Sequence, residues 1–76
     1  MYILDSYNYR VLRWNVGEPL GYIVAGGNGG GSAFNQIGMS YSLFVDHQFN
    51  IYISENGNNR VTFWSVLNIT AGVLVR

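Results

Sequence analysis

Short runs of apolar and β-branched residues, each closed by a cluster of polar turn formers, make up most of this chain. Tyr2-Ile3-Leu4 ends at Asp5 and is followed by Ser6-Tyr7-Asn8-Tyr9. A second run opens at Arg10 and passes Trp14, and a third begins near Gly21. Leu43-Phe44-Val45-Asp46 reads as a fourth, with His47-Gln48-Phe49-Asn50 as the turn out of it. Ile51 to Ser54 then ends at Glu55, Asn56-Gly57-Asn58-Asn59 follows, and the last two runs start at Arg60 and near Ile69. No long window carries the 3.6-residue period of an amphipathic helix, so the pattern predicts seven strands in an all-β fold. Asn56-Gly57 predicts a type I′ hairpin, whose two central residues both need positive φ.

The runs repeat. Residues 2–14 (YILDSYNYRVLRW) laid over 52–64 (YISENGNNRVTFW) agree at Tyr, Ile, Asn, Arg, Val and Trp, an offset of 50 residues. Asp5 matches Glu55 in charge. After a one-residue slip, Gly21-Tyr22-Ile23-Val24 lies over Gly72-Val73-Leu74-Val75. Self-similarity of this kind marks an architecture assembled from one repeated supersecondary unit.

Between the copies, Ala25 to Ser32 reads AGGNGGGS. Glycine at that density cannot pack a core, and it predicts a flexible or tightly turning link. Phe34 and Ile37, three apart, are expected to form a short helical turn that tucks both side chains under the link. The chain divides accordingly into a partial first unit at 1–26, a link at 27–40 and a second unit at 41–76.

Leu43-Phe44-Val45-Asp46, then Asn50-Ile51-Tyr52-Ile53-Ser54-Glu55, then Asn58-Asn59-Arg60-Val61 follow one another in the second unit. The first unit keeps Tyr2-Ile3-Leu4-Asp5 and Asn8-Tyr9-Arg10-Val11. In this order the chain resembles the NHL repeat family over nearly its whole length. Two positions depart from the family pattern. Tyr41-Ser42 stand where Pro-x-Gly usually precedes the inner strand, and Phe49 replaces a Gly common in the first turn. The resemblance implies four-stranded antiparallel blades set radially around a channel, about 4–8 in a closed β-propeller. This chain would then be a partial β-propeller, with three strands of one blade and four of the next. Its sheet faces and flanking edges would be uncovered, so it is expected to need further blades or self-association.

Charge narrows the partners. The chain has four Lys plus Arg, all of them Arg, against four Asp plus Glu, for a formal net charge of zero. It lacks the basic footprint of a nucleic-acid or anionic-membrane binder, so nucleic acid is not an expected partner. No apolar run approaches the ~18 residues of a membrane-spanning helix. Nor does the N-terminal stretch show the basic-then-apolar pattern of a signal peptide.

Candidate chemistry is thin. Gly26 to Gly31 lacks the Lys that a phosphate-cradling loop requires. With no Cys and a single His, His47, neither a disulfide nor a local zinc site can form, and no metal or cofactor is expected. Asn68-Ile69-Thr70 matches the N-glycosylation sequon, which matters only in a secretory pathway; the compartment is left open. No Ser-His-Asp set, Cys nucleophile or close carboxylate pair can be assembled. The positions that recur or anchor the repeat are Asp5, Arg10, Trp14, Asp46, Tyr52, Glu55, Arg60 and Trp64. Recurrence suits a structural role, because a binding site usually breaks the symmetry of its repeats. Each Arg is expected to reach the acid five residues earlier or the carbonyls of a neighbouring blade. Each Trp is expected to fill space between blade sheets.

The function these features predict is a scaffold: rigid blades presenting loops to a protein or peptide, without catalysis. Three alternatives remain at this stage. They are a propeller enzyme (a metal-dependent lyase or a hydrolase) whose site lies mostly on other blades, an RNA-binding propeller, and a small-ligand sensor. A fold of this kind does not choose among them.

Overall fold

The computed structural model describes residues 1–40 and 42–75, with side chains outside 68–70, and contains two antiparallel sheets and no α-helix. The first sheet runs β1 (Tyr2–Asp5), β2 (Arg10–Arg13), β3 (Tyr22–Gly26). The second runs β4 (Ser42–Val45), β5 (Ile51–Glu55), β6 (Arg60–Ser65), β7 (Asn68–Leu74). Each strand pairs with its neighbour in sequence, so both sheets are simple meanders, consistent with two adjoining parts of a β-propeller-like wheel. Tyr41 and the Asn68 sequon side chains lie outside what is described.

The hairpins that carry the repeat are alike. β1 and β2 end their pairing at Asp5↔Arg10, and β5 and β6 at Glu55↔Arg60. Four residues join each pair: a 3-10 turn at Ser6–Asn8 or Asn56–Asn58, then one left-handed residue, Tyr9 (φ 54°) or Asn59 (φ 52°). The type I′ turn expected at Asn56-Gly57 therefore does not form, since a four-residue connection needs only that one left-handed position to close. Gly57 serves a different end. Its amide donates to the Met39 carbonyl at 3.0 Å, and a Cβ there would lie 3.2 Å from the Met39 nitrogen.

β2 also stops at Arg13, short of Trp14, whereas β6 continues through Trp64. The strand after β6 returns at once, with Ser65 opposite Asn68. By contrast, Pro19 and the left-handed Gly17 (φ 85°) carry the chain out of the sheet after Trp14.

The two sheets bury one face each against the other. Val11 and Ala25 of the first sheet and Ile51, Ile53 and Trp64 of the second form one cluster, with Ile37 of the link between them. Tyr2, Leu4 and Val24 pack on it from the first sheet, and Leu43 and Val45 from the second. Alternation along the strands sends the intervening residues to the outward faces.

The glycine-rich link is an ordered loop. Its segment 30–37 closes on itself through a parallel bridge between Gly30 and Ile37 and a turn in which the Gln36 amide donates to the Ala33 carbonyl at 3.0 Å. Ile37 is fully buried, but Phe34 is 66% exposed. The expected helical turn tucking both side chains under the link is thus corrected. Ile37 sits in an extended bridge rather than one helical turn beyond Phe34, and the Phe34 carbonyl accepts from the Gly72 amide at 2.6 Å.

Gly21 and Gly72 each lie flat against a tryptophan. A Cβ at Gly72 would stand 2.7 Å from Trp64 Cε2, and one at Gly21 2.7 Å from Trp14 Cε3. Gly72→Ala should cost about 1–3 kcal/mol, because a locked core ring cannot yield. Gly21→Ala should cost clearly less, since half-buried Trp14 can swing toward solvent. Urea unfolding of the two variants side by side checks this; equal losses would contradict it.

Candidate functional site

At the end of the sheets nearest the link, the two repeated acid–arginine pairs hold very different positions. Asp5 accepts from Arg10 Nε at 3.0 Å and from Asn8 Nδ2 at 3.0 and 3.1 Å, with both members of the ion pair partly exposed. Those hydrogen bonds, from Asn8 first and Arg10 second, hold the Asp5 carboxyl below its ordinary value. Glu55 is fully buried. One of its oxygens accepts from Arg60 Nε (2.9 Å), Asn58 Nδ2 (2.9 Å) and the Gly38 amide (3.0 Å). The other accepts from Thr62 Oγ1 at 2.6 Å, and that hydroxyl in turn accepts from Trp64 Nε1 at 3.1 Å.

Arg60 completes the arrangement. Its terminal nitrogens donate to the Ser32 carbonyl at 2.9 Å and the Gln36 carbonyl at 3.1 Å. Asn58 Nδ2 adds the Gly31 carbonyl at 2.8 Å. One carboxylate thereby joins the second sheet's hairpin, its core tryptophan and the link. The link continues on to the first sheet, where Ser6 Oγ donates to the Ser40 carbonyl at 2.6 Å. Among the described residues no buried side-chain nitrogen or oxygen lacks a partner, and a fixed set of charge-assisted bonds of this kind is a clip rather than a reactive centre.

The other end of the sheets is open. A cleft of about 380 Å³ lies between them, its walls formed by Tyr2, Tyr22, Phe49, Ile51 and Trp64, with Arg13 at its edge. The Arg13 guanidinium sits 5.5 Å from the centre of the Phe49 ring, a cation–π contact that bridges the two sheets. Phe49 is placed there by a left-handed backbone (φ 68°). Asp46 builds that turn by accepting from the amides of Gln48 and Asn50, both at 2.9 Å, while its carbonyl accepts from the Phe49 amide. These bonds, the Asn50 amide foremost, keep the Asp46 carboxyl ionised below its ordinary range. Tyr22 donates its hydroxyl to Glu18 Oε2 at 2.9 Å, and Asn15 Nδ2 donates to Glu18 Oε1 at 3.1 Å.

Of the recurring residues, Glu55, Arg60 and Trp64 are joined in one network. Asp5 and Arg10 form a separate pair on the first sheet, and Asp46 shapes the turn at the cleft. Trp14 donates Nε1 to the Glu18 carbonyl at 2.8 Å at the surface, not between the sheets. Tyr52 stands on the outward face of the second sheet, between Phe44 and Phe63. Sequence reasoning passed over Arg13, Tyr22 and the role of Phe49. The signal for Arg13 was present as a break in the repeat, where it occupies the place of Phe63; that for Phe49 was an aromatic residue inside a polar turn.

Among the described residues no group of three His, Asp or Glu side chains could hold a metal ion, and no helix is long and apolar enough to cross a membrane. Comparison with protein-family models, with curated proteins and with solved structures found no match for the chain.

Proposed function

We propose that this chain is an NHL-type β-propeller segment acting as a scaffold and protein-interaction module, with the cleft between its sheets as the place where an extended peptide binds. The observation that carries the reading is the cleft itself. It has aromatic walls, one cation at its edge and rigid strands on both sides, which is the composition of a peptide-anchoring surface. The repeat grammar of acid, Asn and Arg supports the propeller assignment. The recurrent chemistry at the link end is consumed in holding the sheets together, leaving the cleft as the part that breaks the symmetry of the repeats. An aromatic or aliphatic side chain next to a carboxylate would suit it, the apolar group between Tyr22 and Phe49 and the acid against Arg13.

Selection of a displayed peptide library on the full chain tests this. Winning peptides should share an apolar–acidic motif, and their affinity should fall at least tenfold on Tyr22→Ala or Arg13→Ala, both outside the core cluster. Peptides indifferent to both substitutions, or no enriched motif, would refute the reading.

A further inference from the structure

The two sheets stack in one sense, and the repeat makes that sense readable. The first sheet buries Tyr2, Leu4 and Val11 against the second. Their equivalents 50 residues on are Tyr52, Ser54 and Val61, which lie on the second sheet's outward face. Conversely, the second sheet buries Ile53 and Thr62, whose equivalents Ile3 and Leu12 stand opposite each other on the first sheet's outward face. The slipped part of the repeat obeys the same rule. Val24 packs on the core, while its counterpart Val75 is exposed. Each uncovered face is therefore the repeat counterpart of a face already buried inside the molecule.

Both uncovered faces are apolar. On the second sheet Phe44, Tyr52 and Phe63 form an aromatic row, with ring centres 6.1 and 5.1 Å apart, and Phe44 and Val73 are 64% and 61% exposed. No charged side chain interrupts that row. On the first sheet Ile3 and Ile23 are exposed beside Leu12. Patches of this kind on a small protein mark contact surfaces.

We propose that copies of this chain associate head to tail, the outward face of one copy's second sheet seating on the outward face of the next copy's first sheet. The occupant is a second copy because the required interface already exists within the molecule, between surfaces of the same repeat, and the new contact continues it. Such an interface is heterologous: it uses two different patches, and it gives a ring where the rotation closes and a linear series where it does not.

Sedimentation equilibrium on the full chain with two capped variants tests this. Phe44→Glu with Val73→Glu spoils one face, and Ile3→Glu with Ile23→Glu the other; all four side chains are exposed, and near-UV circular dichroism verifies that each variant stays folded. The unmodified chain should exceed its 8.5 kDa monomer mass increasingly with concentration. Each capped variant alone should stay monomeric. Mixed, the two should form a heterodimer of twice the monomer mass and stop there, since one good face of each remains. A monomeric parent chain, folded or not, overturns the proposal, and so does a mixture that fails to pair or a capped variant that still self-associates. Stacking and the peptide cleft fail separately. A monomer that keeps its cleft-dependent peptides loses only the stacking, and a stacked chain whose peptides ignore the cleft loses only the scaffold reading.

Discussion

Glu55→Gln should lower the unfolding free energy by about 3–5 kcal/mol, the usual cost of removing one partner from a buried ion pair. Glu55 is fully buried and satisfies Arg60, Thr62, Asn58 and the Gly38 amide together. Neutralising it leaves the Arg60 guanidinium beside a group that no longer balances its charge. A chain of this length carries roughly 4–11 kcal/mol in all, so the variant should lose a large share of its stability and unfold at a clearly lower urea concentration. Urea unfolding followed by tryptophan fluorescence measures the loss. Asp5→Asn, the equivalent change in the first sheet, should cost far less because that pair is partly exposed and solvent-screened. Equal losses at the two positions would show that the clip is not special.

The same carboxylate sets an acid limit. Burial by itself pushes the Glu55 carboxyl up, but the hydrogen bonds from Thr62, Gly38, Asn58 and Arg60 together outweigh it and hold the group below its ordinary value of 4.5. The folded-state value lies below the unfolded one, so the stabilisation is complete above the unfolded value. It disappears as pH falls through the lower folded one. Unfolding curves across that acid range should lose this component in Glu55→Gln, while the contributions of Asp5 and Asp46 persist.

Trp64→Ala should cost about 3–5 kcal/mol, through lost burial plus an unfilled cavity between the sheets. The ring is 1% exposed and packs against Gly72, and its Nε1 feeds the Thr62 hydroxyl that in turn bonds Glu55. Trp64→Phe keeps most of the volume but removes the indole N–H and part of the ring that packs on Gly72, for an expected loss of about 1–3 kcal/mol, below that of Trp64→Ala. Trp14→Ala should cost less than Trp64→Ala, since Trp14 is half-buried and its Nε1 bond to the Glu18 carbonyl lies at the surface. Trp14 and Trp64 report in turn in the single-tryptophan variants, so both comparisons can be made by fluorescence. A Trp64→Phe variant as unstable as Trp64→Ala would contradict the expectation that the volume it retains still fills the space between the sheets.

Local pattern went far here because a β-meander is a nearly local fold. Each strand pairs with the next along the chain, so alternation, turn formers and a 50-residue offset suffice to place the seven strands in two groups. The recurrence of acid and arginine at hairpin ends is likewise local, five residues apart across one turn. Even the failed type I′ turn was a failure of loop length and not of location, since the hairpin formed where Asn and Gly announced it.

What local pattern could not carry was depth. Asp5 and Glu55 are equivalent along the chain, yet one is partly exposed and the other lies at the centre of a network. The difference comes from the link, whose carbonyls and Gly38 amide arrive from residues 31–38 and cover only the second hairpin. The glycines read as slackness for the same reason. Composition reports their backbone freedom, while bonds that remove it run as far as Tyr9 on one side and Glu55 and Asn58 on the other. The cleft shared by Arg13 and Phe49 also depends on two sheets meeting. Residue order specifies strands and their pairing through neighbours a few positions apart. Burial, the reach of a long-range hydrogen bond and the shape left between two sheets arise only once those sheets pack.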